Sequence, residues 1–296
     1  MMQSVRIGDV DASRLAYGCM RIADDGERGK RAIHAAVDAG YTLFDHADIY
    51  GGGESETLFG EVLRQSPGLR DRILIQSKCG IRFADERGPQ RYDFSRDYIT
   101  RSVEATLGRL GIEQLDLLLL HRPDFLMDAG EVADAFSTLR SSGKVARFGV
   151  SNFSTTQFDL LQSAVAEPLL VNQVEINLHR IDAFDNGVLD QCQRLNVTPQ
   201  AWCPLAVVAY EAWGNTLSAD AEERIRTELD RQSAAYGHEA WVVTLAWLLR
   251  HPSGIQPIIG STTPARIAAA TAALAIDYSR EDWYRLLEAR NGQPVP

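Results

Sequence analysis

Short runs of hydrophobic residues alternate with longer amphipathic stretches along almost the whole chain. The short runs are nearly continuous in apolar character, which is typical of parallel strands covered on both faces. The longer stretches repeat their apolar residues with the period of a helix that has one buried face. The predicted strands are residues 15–18, 42–45, 73–78, 116–120, 145–150, 169–175, 198–202 and 255–259.

Eight strand and helix pairs predict an α/β fold, a (β/α)8 TIM barrel in which helices surround a ring of parallel strands. A length of 296 residues would also allow two domains, but no linker marks a boundary, so we expect one barrel domain over residues 1–296. Residues 5–10 alternate in polarity around a Gly-Asp turn and predict an N-terminal β-hairpin that closes the barrel bottom. An extra C-terminal helix is predicted at residues 279–290.

The charge balance limits the partners that the chain can bind. It has 40 Asp and Glu against 30 Lys and Arg, a net charge of −10 at pH 7. Nucleic acids and anionic membranes are bound by clustered Lys and Arg, so we expect neither as a partner. A local basic pocket for a single anionic ligand is still allowed. The oligomeric state stays open between a monomer and a small homo-oligomer.

Apolar stretches and cysteine spacing give expectations about location and metal binding. The longest apolar stretch, residues 240–249, is about half the length of a membrane-spanning helix, and the N-terminus has no secretory signal. We therefore expect a cytoplasmic protein. Its four cysteines form no CxxC pair, which argues against a metal site.

Polar residues stand at the ends of three consecutive predicted strands, where barrel enzymes carry their chemistry. Asp45 ends the second strand, Lys78 ends the third and His121 follows the fourth, while Tyr50 lies in the loop after Asp45. Lysine occurs only at positions 30, 78 and 144, so its use at a strand end suggests that an ammonium is needed there. A buried Asp–Lys pair is costly for stability alone, which favours a functional role over an ordinary ion pair.

Together these residues predict an acid–base site. A positive charge beside a phenol favours the phenolate, so we expect Lys78 to lower the pKa of Tyr50. His121, beside the same charge, is expected to be neutral and to donate a hydrogen bond to a substrate oxygen. Taken singly, Tyr50 could instead be an aromatic residue packed in a loop, and His121 an ordinary strand-end residue.

The sequence around these residues resembles the aldo-keto reductase superfamily. Asp45, Tyr50, Lys78 and His121 occur in the order of that family's catalytic tetrad, within the phrases FDHADIYG and LLHRPD. The phrases GKVARFGVSNF and VNQVEIN resemble the family's fifth-strand and sixth-strand signatures. The similarity extends over essentially the whole chain and is greatest to the bacterial branch that carries HADIYG and HRPD.

The resemblance implies an NAD(P)H-dependent enzyme that reduces a small-molecule carbonyl substrate by hydride transfer, with Tyr50 as general acid. Lys78 and Asp45 would tune Tyr50, and His121 would orient the carbonyl. The family binds its cofactor in an extended conformation across the barrel mouth, without a Rossmann domain. In agreement, no Gly-x-Gly-x-x-Gly follows a predicted strand and opens a helix.

Cofactor contacts also follow from the resemblance. Ser151, Asn152 and Gln173 would hold the carboxamide, and Trp202 would stack on the nicotinamide ring. The remaining implied cofactor positions are Gly18, Met20, Asp45, Pro204, Leu205, Ile259, Gly260, Ser261, Thr262 and Arg266.

Three of these implied cofactor residues favour NADPH over NADH. Ser261, Thr262 and Arg266 resemble the family's 2′-phosphate segment and offer hydrogen-bond donors and a charge for a dianion. Two positions in and after this segment depart from the family's pattern. Gly260 stands where many relatives have a lysine, and Ala-Ala at 269–270 stands where a Glu-Asn pair often holds the adenine.

Two other functions remain open at this point. A lysine at a barrel strand end forms a Schiff base in some aldolases, although Asp45 would keep Lys78 charged. The second alternative is an NADP(H)-binding sensor or accessory subunit with little turnover, since some relatives of this fold serve channels in that way.

The substrate itself is not specified by the pattern. An apolar pocket could be formed by Met20, Phe83, Phe125 and Trp213, although each is equally able to pack within its own loop. Arg82 or Arg122 could attract an acidic substrate or could be solvated surface residues.

Overall fold

The computed structural model describes residues 2–212, 214 and 216–296. Eight parallel strands follow each other around a closed ring, each hydrogen-bonded to the next. They are β3 (Ala16–Gly18), β4 (Leu43–Asp45), β5 (Leu74–Cys79), β8 (Leu117–Leu120), β9 (Phe148–Ser151), β10 (Leu169–Glu175), β11 (Thr198–Trp202) and β12 (Gln256–Ile259). The predicted (β/α)8 barrel is confirmed. The largest difference between a predicted and an observed strand boundary is at the start of β9, because Val145 pairs only through an isolated bridge to Leu115.

Helices surround this ring. They are α1 (Gly26–Asp38), α2 (Glu54–Gln65), α3 (Arg96–Leu110), α4 (Ala129–Ser141), α5 (Thr155–Ala164), α6 (Val188–Leu195), α7 (Ala219–Tyr236), α8 (Ala240–Leu249), α9 (Pro264–Ala269) and α10 (Arg280–Asn291). Their buried faces pack on the outside of the strands, while the strand ends at the mouth are left for polar side chains.

An antiparallel hairpin of β1 (Ser4–Ile7) and β2 (Val10–Ser13) precedes the barrel, as predicted. Its turn contains Gly8 at a φ of +59°, a conformation that suits glycine. Ile7 and Ala12 are buried against Leu43 and Val171 inside the ring, so the hairpin covers the end of the barrel away from the mouth. A second hairpin, β6 (Ile81–Arg82) and β7 (Arg91–Tyr92), stands in the loop after β5.

The described part of the chain has one helix more than the sequence pattern predicted, because both α7 and α8 lie between β11 and β12. The added helix α7 packs against α10. The Tyr236 hydroxyl donates to the Asp282 carboxylate at 2.8 Å, and the Gln232 amide donates to the Asp282 carbonyl at 3.0 Å. The pattern could not separate α7 from the barrel helices, because α7 has one apolar face, as most of them do.

The C-terminal helix is also attached to the barrel rim. Near its end, Arg290 donates from Nε to the Leu178 carbonyl at 3.2 Å and from Nη2 to the His179 carbonyl at 3.0 Å. Both carbonyls belong to the loop after β10, so α10 and that loop are held together.

Three further properties concern the described residues only. None of their helices has both the length and the apolar composition that crossing a membrane requires. No three His, Cys, Asp or Glu side chains among them are grouped as a metal site. The four free cysteines are Cys19, Cys79, Cys192 and Cys203.

Candidate active site

Lys78 lies at the centre of the polar cluster at the barrel mouth. Its Nζ donates to Asp45 at 2.7 Å and 2.8 Å, to the His46 carbonyl at 2.7 Å and to the Tyr50 hydroxyl at 3.1 Å. The Lys78 side chain is fully buried. The ion pair of Asp45 and Lys78 forms because β4 and β5 are neighbouring parallel strands, which carry the two side chains to the same edge of the barrel.

Tyr50 reaches Lys78 from a tight turn after β4. The turn spans Tyr50–Gly53 and leads directly into α2. Gly51 and Gly52 have φ values of +58° and +64°, in the left-handed region that residues other than glycine rarely occupy. The glycines thus allow the chain to reverse within three residues while the phenol stays at the barrel mouth.

The pKa of Tyr50 is raised overall, so the expected depression of this pKa was wrong, although Lys78 does act in the lowering direction. Burial of the phenol raises the pKa most, Lys78 opposes this, and Asp45 raises the pKa again by offsetting the lysine charge. The effects of burial and of Asp45 together exceed the attraction of the single cation. At neutral pH, Tyr50 therefore keeps its proton and is available as a donor.

His121 stands on the other side of Tyr50, with ring centroids 6.1 Å apart and ring planes at 85°. Burial lowers its pKa well below the usual value, and the charges of Lys78 and Arg122 lower it further. The predicted neutral imidazole is confirmed.

Four buried glutamines inside the barrel form a hydrogen-bonded glutamine belt that holds Asp45. They are Gln76, Gln173, Gln200 and Gln256. Oδ1 of Asp45 accepts from Gln76 Nε2 at 2.5 Å and from Gln173 Nε2 at 3.0 Å. Both amides also donate to Gln200 Oε1, at 2.9 Å and 3.0 Å, and Gln200 Nε2 donates in turn to Gln256 Oε1 at 2.9 Å. Sequence reasoning missed Gln76, Gln200 and Gln256. The available signal was one glutamine within each of the three strands β5, β11 and β12.

The four residues implied for the carboxamide and the nicotinamide ring are connected by hydrogen bonds. Ser151 Oγ donates to the Gln173 carbonyl at 2.8 Å, and Asn152 Nδ2 donates to Ser151 Oγ at 2.9 Å and to the His121 carbonyl at 3.2 Å. Trp202 Nε1 donates to Asn152 Oδ1 at 2.9 Å. The ends of β9, β10 and β11 are therefore joined into one polar wall beside His121.

The implied adenosine segment lies where β12 and β3 end side by side. A Cβ at Gly18 would lie 2.9 Å from Ile258 Cγ2 and 3.7 Å from Gly260 Cα, so a glycine is needed for this close approach. The Tyr17 hydroxyl donates to the Ser261 carbonyl at 3.0 Å. The implied residues that complete this edge are Ile259, Thr262 and Arg266.

Loops after β3 and β11 approach each other across the mouth. Met20 and the segment with Pro204 and Leu205 lie on these two loops. The Arg21 guanidinium lies 5.9 Å from the centre of the Tyr210 ring, a contact that no sequence signal indicated.

The candidate substrate residues are only partly as predicted. Met20, Phe83 and Phe125 are 48%, 55% and 87% exposed, so they do not pack together into a closed pocket. Trp213 is outside the described residues. Arg82 is paired with Asp93 at 2.8 Å and with Asp85 at 3.3 Å. These ion pairs leave Arg82 less suited to an acidic substrate.

Arg122 has a different position. Its guanidinium lies 5.8 Å from the centre of the Trp202 ring, although β8 and β11 are three strands apart in the ring. It therefore extends across the mouth.

Comparisons with known proteins agree with this fold and strand-end geometry. Residues 14–291 match the model of the aldo/keto reductase family. The 6-dehydroglucose reductase of Agrobacterium fabrum is 40% identical, covering 99% of this chain and all of that protein. The oxidoreductase YdhF of Escherichia coli is 43% identical over 96% of this chain and 95% of its own length.

Solved structures give the same result. The thermostable aldo-keto reductase Tm1743 superposes with a TM-score of 0.84 at 26% identity, covering 97% of this chain and all of that one. An aldo/keto reductase of Klebsiella pneumoniae, solved with NADP and acetate, superposes with a TM-score of 0.80 at 25% identity, covering all of this chain and 97% of that one. From its sequence, its closed barrel and these matches, the chain is an oxidoreductase that belongs to the aldo/keto reductase family.

Proposed function

We propose that this protein reduces an aldehyde or a ketone to an alcohol, with NADPH as hydride donor and Tyr50 as general acid. One observation carries the proposal: the buried ammonium of Lys78 lies 2.7 Å from Asp45 and 3.1 Å from the Tyr50 hydroxyl. A protonated phenol backed by a fixed cation is suited to giving a proton to a carbonyl oxygen. Membership of the aldo/keto reductase family supports the same class of reaction.

The edge formed by β12 and β3 fits the 2′-phosphate that distinguishes NADPH from NADH. Arg266 makes no ion pair with any described residue. Arg28 lies against the same segment, with Nε 3.5 Å from the Thr262 carbonyl. Two cations beside the hydroxyls of Ser261 and Thr262 suit a dianion. Arg28 partly offsets the absence of a lysine at Gly260.

The opposite part of the mouth fits the nicotinamide end. Ser151, Asn152 and Gln173 present hydroxyl and amide groups there, and Trp202 adds an aromatic surface. The solved complex of the Klebsiella pneumoniae relative with NADP supports the same choice of cofactor.

When bound, NADPH supplies the hydride that adds to the carbonyl carbon. Tyr50 donates its phenolic proton to the carbonyl oxygen, so the product is an alcohol and Tyr50 is left as a phenolate, which then regains a proton from water. Burial lowers the pKa of Lys78, but Asp45 and Tyr50 raise it by more, so Lys78 stays charged and stabilises the phenolate. His121, which is neutral, orients the carbonyl by a hydrogen bond.

Schiff-base chemistry at Lys78 is disfavoured by the same contacts. It requires a neutral amine, whereas the Lys78 ammonium is fully buried, paired with Asp45 and raised in pKa. Borohydride trapping of a substrate on Lys78 would contradict this part of the proposal.

The test is NADPH oxidation measured against a panel of aldehydes, ketones and quinones, repeated with NADH. The panel should contain polyhydroxylated aldehydes, because a 40% identical relative is a 6-dehydroglucose reductase. We expect turnover of at least one carbonyl compound and weaker activity with NADH. Tight NADPH binding without turnover across the whole panel would instead favour an NADP(H) sensor.

A further inference from the structure

A side cavity of about 560 Å³ lies next to the turn that carries Tyr50 but outside the barrel mouth. Three segments line it: residues 48–52, the β6–β7 hairpin, and the face of α3 that carries Tyr98, Arg101 and Ser102. Neither Lys78 nor His121 lines it. Its volume is in the range of small-molecule sites.

Although the chain has a net charge of −10, positive side chains outnumber the two acidic ones, Asp48 and Asp85, in the lining of this side cavity. Its four arginines are Arg82, Arg87, Arg101 and Arg109. Two of them are neutralised, since Arg82 pairs with Asp93 at 2.8 Å and Arg109 pairs with Glu56 at 2.7 Å. Arg87 and Arg101 make no ion pair with any residue that the structure describes. Two guanidinium groups are thus free to bind an anion.

Asp48 is a second, independent feature in the lining of the side cavity. Its Oδ1 is buried and makes no hydrogen bond with any described residue. A buried oxygen without a partner costs free energy, and such atoms usually have a ligand or water as partner. Burial and the nearby Glu56 carboxylate raise the pKa of Asp48 to about 7, against the opposing effects of Arg109 and of hydrogen bonds from the Ile49 backbone and the Ser102 side chain. A carboxyl group in this state is suited to a hydroxyl, which can both donate and accept.

We propose that the side cavity binds a hydroxylated organic anion, a sugar phosphate or a sugar acid, separately from the carbonyl substrate. Arg87 and Arg101 bind its anionic group, and Asp48 forms a hydrogen bond with one of its hydroxyls. Phe83 and Tyr98 cover its carbon skeleton. Because Asp48 and Gly52 flank Tyr50, the ligand contacts the same turn that positions the general acid.

The test measures binding by calorimetry to the enzyme saturated with NADPH, so that cofactor phosphate sites are filled. The probes are glycerol 3-phosphate, glycerate, inorganic phosphate and neutral glycerol. We expect glycerol 3-phosphate or glycerate to bind with a stoichiometry of one, and glycerol not to bind. The anion that binds, glycerol 3-phosphate or glycerate, identifies the anionic group. Inorganic phosphate is expected to bind more weakly, because it has no hydroxylated carbon chain to extend from the arginines to Asp48.

Variants locate the bound anion. Arg101→Gln should weaken its affinity by about tenfold or more, because one charge-assisted contact is lost. Asp48→Asn should weaken the hydroxylated anion more than inorganic phosphate. The matched control is Arg122→Gln, which removes the same charge at the barrel mouth and should leave the affinity unchanged. The proposal is wrong if neither anion binds, or if Arg122→Gln rather than Arg101→Gln abolishes binding. Since the readout is binding and not turnover, this outcome is independent of the carbonyl reductase activity.

Discussion

The ammonium of Lys78 lies 3.1 Å from the hydroxyl of Tyr50 and 4.9 Å from the centre of its ring. The cation is therefore placed where negative charge develops when the phenol gives up its proton. Asp45 acts on this cation directly, through hydrogen bonds of 2.7 Å and 2.8 Å.

Replacing Tyr50 by Phe should remove the proton donor and keep the fold. We expect turnover to fall by about 100-fold to 10,000-fold, the usual contribution of general acid catalysis. NADPH affinity, measured by quenching of protein fluorescence, should stay the same. Tyr284→Phe, on the exposed face of α10, is the control and should have the rate of the unmodified enzyme. A Tyr50→Phe protein with that rate would exclude Tyr50 as the acid.

The pH dependence of carbonyl reduction follows from the two shifted groups. The reaction needs the protonated phenol of Tyr50 and, for His121, the neutral imidazole. Burial raises the pKa of Tyr50, so the donor is lost only at alkaline pH, and it lowers the pKa of His121, so this ring gains a proton only at acidic pH. We expect kcat to be nearly constant between about pH 6 and 8. A steep change of kcat near neutral pH would contradict this assignment.

The Asp45–Lys78 pair should behave as a buried ion pair. Asp45→Asn leaves the lysine charge uncompensated and should lower the free energy of unfolding by about 3–5 kcal/mol. Adding Lys78→Met should restore most of this stability, because no buried charge then remains, without restoring turnover. Denaturant unfolding of the three proteins checks the first point and NADPH oxidation the second. Recovery of activity in the double variant would show that the pair is structural only.

Gln200 is the centre of the glutamine belt beneath Asp45. Gln200→Leu removes its hydrogen bonds with Gln76, Gln173 and Gln256, and should destabilise the protein by about 1–3 kcal/mol. We also expect a lower kcat with little change of KM, because Asp45 is held less firmly. The comparison is Gln193→Leu on the exposed face of α6, where neither quantity should change. Equal effects of the two substitutions would argue against the belt.

Arg266 should distinguish NADPH from NADH. Arg266→Gln removes a charge that a 2′-phosphate needs, so NADPH should bind about tenfold more weakly, equivalent to about 1.4 kcal/mol. NADH affinity should change little, since it has a hydroxyl at that position. Fluorescence titration with both cofactors measures this, with Arg194→Gln as a charge-matched control. A parallel loss for NADH would place Arg266 elsewhere on the cofactor.

The positions of Asp45, Lys78 and His121 were predictable because parallel strands carry their last residues to one edge of a barrel. The direction of the Tyr50 pKa was not, since it depends on how completely the phenol is buried and on how far Asp45 cancels Lys78. One glutamine within a strand does not reveal its partners, so the links of Gln200 to three other strands became visible only in three dimensions. The contact of Arg122 with Trp202 joins strands that are three apart in the ring and has no local signal.

The attachment of Arg290 to the carbonyls of Leu178 and His179 has a consequence for engineering this enzyme. The loop after β10 is shaped by a residue more than a hundred positions later in the chain, so it is not an independent module. A chimaera that takes this loop alone from a relative would combine it with a mismatched terminal helix. Loop and helix should be exchanged together.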